Sequence, residues 1–299
     1  MLANRDITVI IPYHNREQYI DEAIRSVQAQ TLKPLEIIIV NDGSRGSARH
    51  YLDRYRSECT VVDLDTNVGA AAARNEGIRR AAGTFIAFLD DDDMWLPRKL
   101  EIQRRYMEDD PSCAAVHTAV WAFFNDQEDV LWNGNWSGPI TLAQALTDGY
   151  WVSLQSILIR RDVLQDLGGL DPGFPISEDR DLIIRACAAG YRIECISEPL
   201  VRVRRQGQQS LTVDCWRTFA MDLKLCWKHR AHYYRAYGFR GFVSYVLEKL
   251  QIATRNTHYV ERSMQFLMRW VKVRYQVRPD FREPVPEPNA LDSAPVKTR

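Results

Sequence analysis

The sequence has no surplus of charge of either sign: Lys+Arg and Asp+Glu number 39 each over 299 residues. A global attraction to nucleic acid or another polyanion is thereby excluded. It also lacks any apolar run approaching the eighteen or so residues that a bilayer-spanning helix requires. No basic stretch followed by an apolar one precedes the first strand pattern, since Met1-Leu2-Ala3-Asn4-Arg5-Asp6 leads straight into it, so no secretory leader is expected. Cysteine is sparse and scattered: Cys59, Cys113, Cys187, Cys195, Cys215 and Cys226 form no close pair. That spacing argues against a zinc site or a disulfide framework and makes a reducing, cytoplasmic setting the expectation. Internal repeats are missing too. What remains, 45% hydrophobic and 26% charged residues, is ordinary for a globular chain with ample core.

Against this background one stretch stands out. Thr84-Phe85-Ile86-Ala87-Phe88-Leu89 is followed at once by four carboxylates, Asp90 to Asp93. Adjacent carboxylates repel, so clustering them is unfavourable unless a cation lies among them. Oxygen-only donors at the end of a buried strand suit Mg²⁺ or Mn²⁺, which usually bring substrate phosphates along. The bland alternative is a solvated acidic loop. A helix-loop-helix calcium site is excluded, because no glycine occupies the sixth position counted from Asp90 or Asp91.

The first two hundred residues alternate strand and helix signals. Ile7–Ile11, Leu35–Val40, Thr60–Leu64 and Thr84–Leu89 read as strands, the first as a short, continuously apolar run. Between them come a helical stripe (Tyr19, Ile20, Ala23, Ile24, Val27) and an alanine-rich helix from Gly69 to Ala82 with Gly83 as its expected C-cap. The pattern predicts an α/β fold with a mostly parallel, Rossmann-like sheet covered by helices on both faces. Ligands bind outside the carboxyl ends of such strands. Pro12-Tyr13-His14-Asn15, Asp42 and Asp90–Asp93 all fall there. From Pro111 to Arg205 the pattern is mixed, with strands expected at 114–122, 156–160 and 198–203 and a helix from Ser177 to Ala189.

Five segments, in order, carry a resemblance: Val9-Ile10-Ile11-Pro12-Tyr13-His14-Asn15-Arg16-Glu17, Glu36-Ile37-Ile38-Ile39-Val40-Asn41-Asp42-Gly43-Ser44, Asn67-Val68-Gly69-Ala70-Ala71-Ala72-Ala73-Arg74-Asn75, Phe88-Leu89-Asp90-Asp91-Asp92-Asp93 and Ser177-Glu178-Asp179-Arg180-Asp181-Leu182. Together they resemble the family 2 glycosyltransferases of GT-A fold, over roughly residues 5 to 205. Each alone is weak, but their order and spacing are specific. The resemblance implies sugar transfer from a nucleoside-diphosphate donor, a UDP-sugar foremost, with inversion at the anomeric carbon.

It further implies that Tyr13 stacks on the base, Asp42 accepts the base's N–H, and Pro12, Asn15 and Glu17 shape the pocket. Arg74 would reach the diphosphate or the aspartates. Asp92, with Asp90, would coordinate Mn²⁺ or Mg²⁺, while Asp90 or Asp91 contacts ribose or a metal-bound water. Asp179 matches the family's base, and the first-turn helix dipole would keep it ionised; Glu178 and Asp181 would orient the acceptor. Each has a plainer alternative: Asn15 as a helix start, Asp42 as a turn residue, Arg74 as a surface arginine, Asp93 as a helix cap, Asp179 as a helix-starting acid. Family members often add a late histidine ligand, whereas Val201-Arg202-Val203-Arg204-Arg205-Gln206-Gly207 offers arginines and glutamine.

Beyond residue 210 the chain turns basic, aromatic and helical. The expected division is a catalytic, nucleotide-sugar-binding domain over 1–210, a basic aromatic helical extension over 211–278 and a disordered tail over 279–299. Trp216, Trp227, Tyr233, Tyr234, Phe242, Tyr245, Phe266 and Trp270 could pack on the catalytic domain or a second subunit, or lie on an anionic membrane at the inner face, which would suit a lipid-linked or glycan acceptor. A homo-oligomer is left open. Two alternatives compete: a sugar nucleotidyltransferase would need a glycine-rich phosphate loop with lysine after the first strand, and a non-catalytic nucleotide-sugar or glycan-binding module would be expected to lack the aspartate run or Asp179.

Overall fold

The structure, a computed structural model, describes residues 6–123, 129–131, 137–147, 152–205 and 215–253. The chain runs β1 (Ile7–Tyr13), α1 (Ile20–Gln28), β2 (Glu36–Asn41), α2 (Ser47–Tyr51), β3 (Thr60–Asp63), α3 (Ala70–Arg80), β4 (Phe85–Phe88), β5 (Met94–Trp95), α4 (Lys99–Asp109) and β6 (Cys113–Phe123). Then follow β7 (Val130–Leu131), β8 (Gly138–Pro139), α5 (Leu142–Ala145), β9 (Leu158–Arg160), α6 (Arg161–Asp166), α7 (Glu178–Ala188), β10 (Arg192–Arg204), α8 (Cys215–Lys228) and α9 (Arg230–Ala253).

One sheet organises them, in the order β3-β2-β1-β4-β9-β6-β10-β5. The β3-β2-β1-β4 half is parallel. The far half is mixed: β6 and β10 are parallel, but β9 runs antiparallel to β4 and β6. The continuous apolar runs have a direct cause. Alternate residues of β1 serve opposite cores, Ile10 with one cluster and Ile7, Val9, Ile11 and Tyr13 with the other. Period-two alternation with both faces covered favours apolar residues throughout; the polar side chain of Thr8 in β1 is buried with its hydroxyl donating to Glu36 and accepting from the Gly83 amide. Helices α1 and α4 lie on one face, α3, α7, α8 and α9 on the other.

Small residues bring α3 close to the sheet. A Cβ at Gly77 would sit 2.5 Å from Ile10 Cγ2. Gly83 is not the expected left-handed cap: the helix already ends at Ala81, whose backbone is extended. Its glycine serves a close approach instead, for a Cβ there would lie 2.6 Å from the Thr8 amide nitrogen. Gly190, at φ 83°, does end α7 as expected.

The helical extension joins the same body. Leu225 and Cys226 of α8 and Tyr233, Ala236, Tyr237 and Tyr245 of α9 are buried in the core cluster that contains Ile10 and Phe88. Tyr237 donates from its hydroxyl to the Ala143 carbonyl. Trp216, Trp227 and Phe239 stay exposed, so the aromatics divide into a packed set and an outward set. Helix α9 bends at Gly238, where φ is 68°. The rest of the expected extension, from residue 254 to 278, and the tail over 279–299 lie outside the described residues.

The strand order reverses beside β1: the chain proceeds to β2 and β3 on one side, then returns to β4 on the other. At such a switch point the carboxyl ends of β1 and β4 part and leave a crevice. His14 to Glu17 and Asp90 to Asp93 border that crevice.

Candidate active site

At the end of β4 the four carboxylates are held in two interleaved pairs, Asp90 and Asp93 by Gln155, Asp91 and Asp92 by Arg16. Asp90 accepts from Arg74 Nη2 at 2.5 Å and from the Gln155 amide at 2.6 Å. Asp91 accepts from Arg16 Nη1 at 3.1 Å and the His14 amide at 3.3 Å. Asp92 takes the same Arg16 nitrogen at 2.8 Å. Asp93 accepts from Gln155 at 2.8 Å and the Arg204 amide at 2.9 Å. It is thus a buried link between β4 and β10 and not a cap of the next helix, since α4 begins only at Lys99. The run is a built cluster, not a solvated loop.

The electrostatics are unfavourable as they stand. Burial pushes the Asp91 carboxyl up to about 7, against the pull of Arg16 and with the push of Asp92 and Asp90. Burial and neighbouring carboxylates also raise Asp92 and Asp93, the latter strongly. A divalent cation would reverse that imbalance. The donors present fit one: they are carboxylate oxygens, the ligand type of Mg²⁺ and Mn²⁺. Among the described residues no three His, Cys, Asp or Glu side chains form a complete cage. Asp92 and Asp90 would therefore supply two ligands, with water and substrate oxygens completing the shell, as is usual for Mg²⁺.

Arg74 connects this cluster to the second acidic motif. Its guanidinium is 4% exposed, with Nη2 on Asp90 and Nη1 on Glu178 at 2.8 Å. Burial would lower its pKa, but the two carboxylates overcome this and raise it. The arginine is therefore a buried bridge, not a surface residue, and it sets the first turn of α7 against the aspartate run. Ser177, just ahead of that turn, has a left-handed backbone at φ 70°. Asp179 accepts from the Arg180 amide at 2.7 Å. The helix-dipole argument expected a low pKa there. Instead burial, reinforced by Glu178, pushes it up to about 7, which suits a group that must take a proton near neutral pH.

Three other expectations need correction. Tyr13 is fully buried, and its hydroxyl donates to the Ala48 carbonyl at 2.9 Å; no ring face is open for stacking on a base. Asp181 does not face an acceptor. It is fully buried and accepts from Arg185 Nε at 2.7 Å, Lys228 Nζ at 2.6 Å and His229 Nε2 at 2.8 Å. Burial would raise its pKa, but these partners hold it well below the usual carboxylate range. Asn15 does not start a helix, since α1 begins at Ile20; it is left-handed, φ 51°, with its amide on Ser44 Oγ at 3.0 Å.

Asp42 and its neighbours shape the other wall. Its two carboxylate oxygens accept the Val68 and Gly69 amides at 2.7 and 3.0 Å, which ties down the entry to α3. His14 Nδ1–H donates to the Asp42 carbonyl at 2.6 Å, leaving Nε2 to accept from Asn15 Nδ2 at 3.0 Å. Pro12 and Glu17 are half-buried at the same edge. No expectation covered Arg16 or Gln155 as site residues, whereas Arg204 is one of the late arginines noted in the 201–207 stretch. Arg204 ends β10, donates from Nε to the Asp92 carbonyl at 3.1 Å and pairs with Glu22. It occupies the late position where a histidine ligand was looked for.

The profile described as glycosyl transferase family 2 matches residues 8–168, more than half of the chain. The chain belongs to glycosyl transferase family 2. The putative teichuronic acid biosynthesis glycosyltransferase TuaG of Bacillus subtilis (strain 168) is 41% identical over 115 residues, 38% of this chain and 45% of TuaG. The UDP-Glc:alpha-D-GlcNAc-diphosphoundecaprenol beta-1,3-glucosyltransferase WfgD of Escherichia coli is 38% identical over 98 residues, 32% of this chain and 39% of WfgD. The match thus spans less than half the length of either relative. Among solved structures, S. aureus TarS 1-349 in complex with UDP covers 93% of this chain and 98% of its own, with a TM-score of 0.59 at 17% identity. That likeness shows the GT-A fold.

Proposed function

We propose that this glycosyltransferase moves a sugar from a UDP-sugar to a hydroxyl of a glycan or lipid-linked acceptor, with inversion and with help from a divalent cation. The observation that carries the reading is Arg74, one buried guanidinium joining the aspartate run to the turn that bears Asp179. In this reading Arg74 would hold the donor-side aspartates and the turn bearing Asp179 together as the two halves of a single-displacement site. TarS was solved with UDP, and WfgD is named for a UDP-Glc donor and a diphosphoundecaprenol-linked acceptor; both lend support to the donor and acceptor classes.

In this scheme the Asp179 carboxylate takes the proton from the acceptor hydroxyl. The acceptor oxygen bonds to the anomeric carbon as the bond to the diphosphate breaks, and the leaving oxygen keeps the electron pair. Asp42 and the β1 edge, from Pro12 to Glu17, surround the base. Asp90 and Asp92 would hold Mg²⁺ or Mn²⁺, which supplies Lewis-acid stabilisation of the leaving group. Arg16 and Arg204, already beside the aspartates, add positive charge at the same edge.

Calorimetry with UDP tests the donor side. Binding should strengthen with Mn²⁺ and lose that dependence in Asp92→Ala. Binding to the wild type that ignores Mn²⁺ would remove the metal from the scheme and leave the diphosphate to Arg16 and Arg204.

A further inference from the structure

Helix α8 turns an apolar stripe outward. Trp216, Ala220, Leu223 and Trp227 recur at i, i+4, i+7 and i+11, which is one helical face. The other side buries Leu225 and Cys226 in the core. Trp216 is 57% exposed and Trp227 66%. Phe219 meets Trp216 edge-on, and the Arg230 guanidinium lies 4.9 Å over the Trp227 ring. Two large rings spaced along one surface helix are costly to leave in water when the same helix has a well-packed inner face.

The charge beside the stripe narrows what can cover it. Helices α8 and α9 hold seven Lys and Arg residues against two acids, Asp222 and Glu248, although the whole chain is neutral. Asp222 is buried and taken by Lys249 at 2.9 Å and Arg180 at 3.7 Å. Arg217 and Arg230 are exposed next to the stripe. A second copy would set like charge against like charge. An anionic bilayer offers an interface for indole rings and phosphates for arginines.

We propose that α8 docks on an anionic lipid surface, with Trp216 and Trp227 at the headgroup boundary and Arg217 and Arg230 on lipid phosphates. The docked helix is tied to the chemistry. Lys228 and His229, at its C-terminal end, both hold Asp181, two residues beyond Asp179. Docking therefore fixes the base helix relative to the membrane plane. Only this last consequence rests on the lipid-linked acceptor reading; the docking itself does not.

Sedimentation of the full chain with vesicles tests it. Phosphatidylcholine containing phosphatidylglycerol should bind the protein, pure phosphatidylcholine much less, and added salt should weaken the binding. Trp216→Ser/Trp227→Ser should reduce partitioning by about tenfold or more, and Arg217→Glu/Arg230→Glu should abolish the preference for anionic lipid. Both pairs are exposed, so circular dichroism melts should match the wild type, and UDP calorimetry on the same variants reports separately on the donor site. Wild-type protein that ignores anionic vesicles overturns the proposal, as does unchanged binding in both variants. A solution dimer that the tryptophan variant dissociates, without vesicle binding, would overturn it in favour of a second copy.

Discussion

At Asp179 two influences oppose each other. The dipole of α7 favours the carboxylate form, worth typically a few tenths to about 1 kcal/mol. Burial and the neighbouring Glu178 charge disfavour it and prevail, holding the group at about 7. In the proposed scheme Asp179 acts only when ionised, so transfer should be lost as pH falls through about 7 and level off above it. Asp179→Asn should cost roughly a hundred- to ten-thousand-fold in turnover, remove that acid limb and leave UDP binding intact. A variant that kept the wild-type rate and profile would place the base elsewhere. Residues of this kind were legible as motif positions, but their surroundings were not. Tyr13 sits in a strand-end Pro-Tyr that reads like a loop, yet β1 continues through it into the core. Gln155 and Arg204 belong to no local pattern; only the pairing of β4, β9, β6 and β10 brings them to the aspartates.

Helix α7 shows the same division at the level of elements. Its span, its glycine stop and its acidic first turn were readable from periodicity, as were β1, β2, β4 and α1. The direction each acid faces was not, because Glu178, Asp179 and Asp181 share one turn but point apart. The i, i+4 spacing of Asp181 and Arg185 was the available clue to an inward pair. Asp181 has three cationic or donating partners, two of them from the end of α8 and the residue after it, so it latches the helical pair onto α7. Removing one partner of a buried charged cluster costs about 3–5 kcal/mol. Asp181→Asn should lower stability to urea by that order and make the 215–253 segment more sensitive to protease. An unchanged midpoint would mean that apolar packing alone holds the pair. Since the Asp181 carboxyl is held well below the usual range, its contribution is present above the unfolded-state value and persists through mild acid.

Among the described residues the core is continuous across the point where the composition changes. The charge and aromatic shift near residue 210 suggested a boundary, but Tyr233, Tyr237 and Tyr245 fill the same core as Ile10 and Phe88. Composition reports surface chemistry, and a continuous core can underlie two different surfaces. Thermal unfolding followed by far- and near-ultraviolet circular dichroism should therefore show one coincident transition. A chain ended at residue 210 should lose fixed tertiary signal, having stripped the apolar cover from α5 and α7. Two well-separated transitions in the full chain would restore the boundary.

The Arg74 bridge has a consequence for how the site tolerates change. A guanidinium is a flat, stiff fork with fixed spacing between its nitrogens. One tine rests on Asp90 and the other on Glu178, so under the proposed scheme the gap between leaving group and base would be gauged by a single rigid part, not by two loops that could drift independently. Donor and acceptor preference can then be retuned in the surrounding loops while the working distance stays constant.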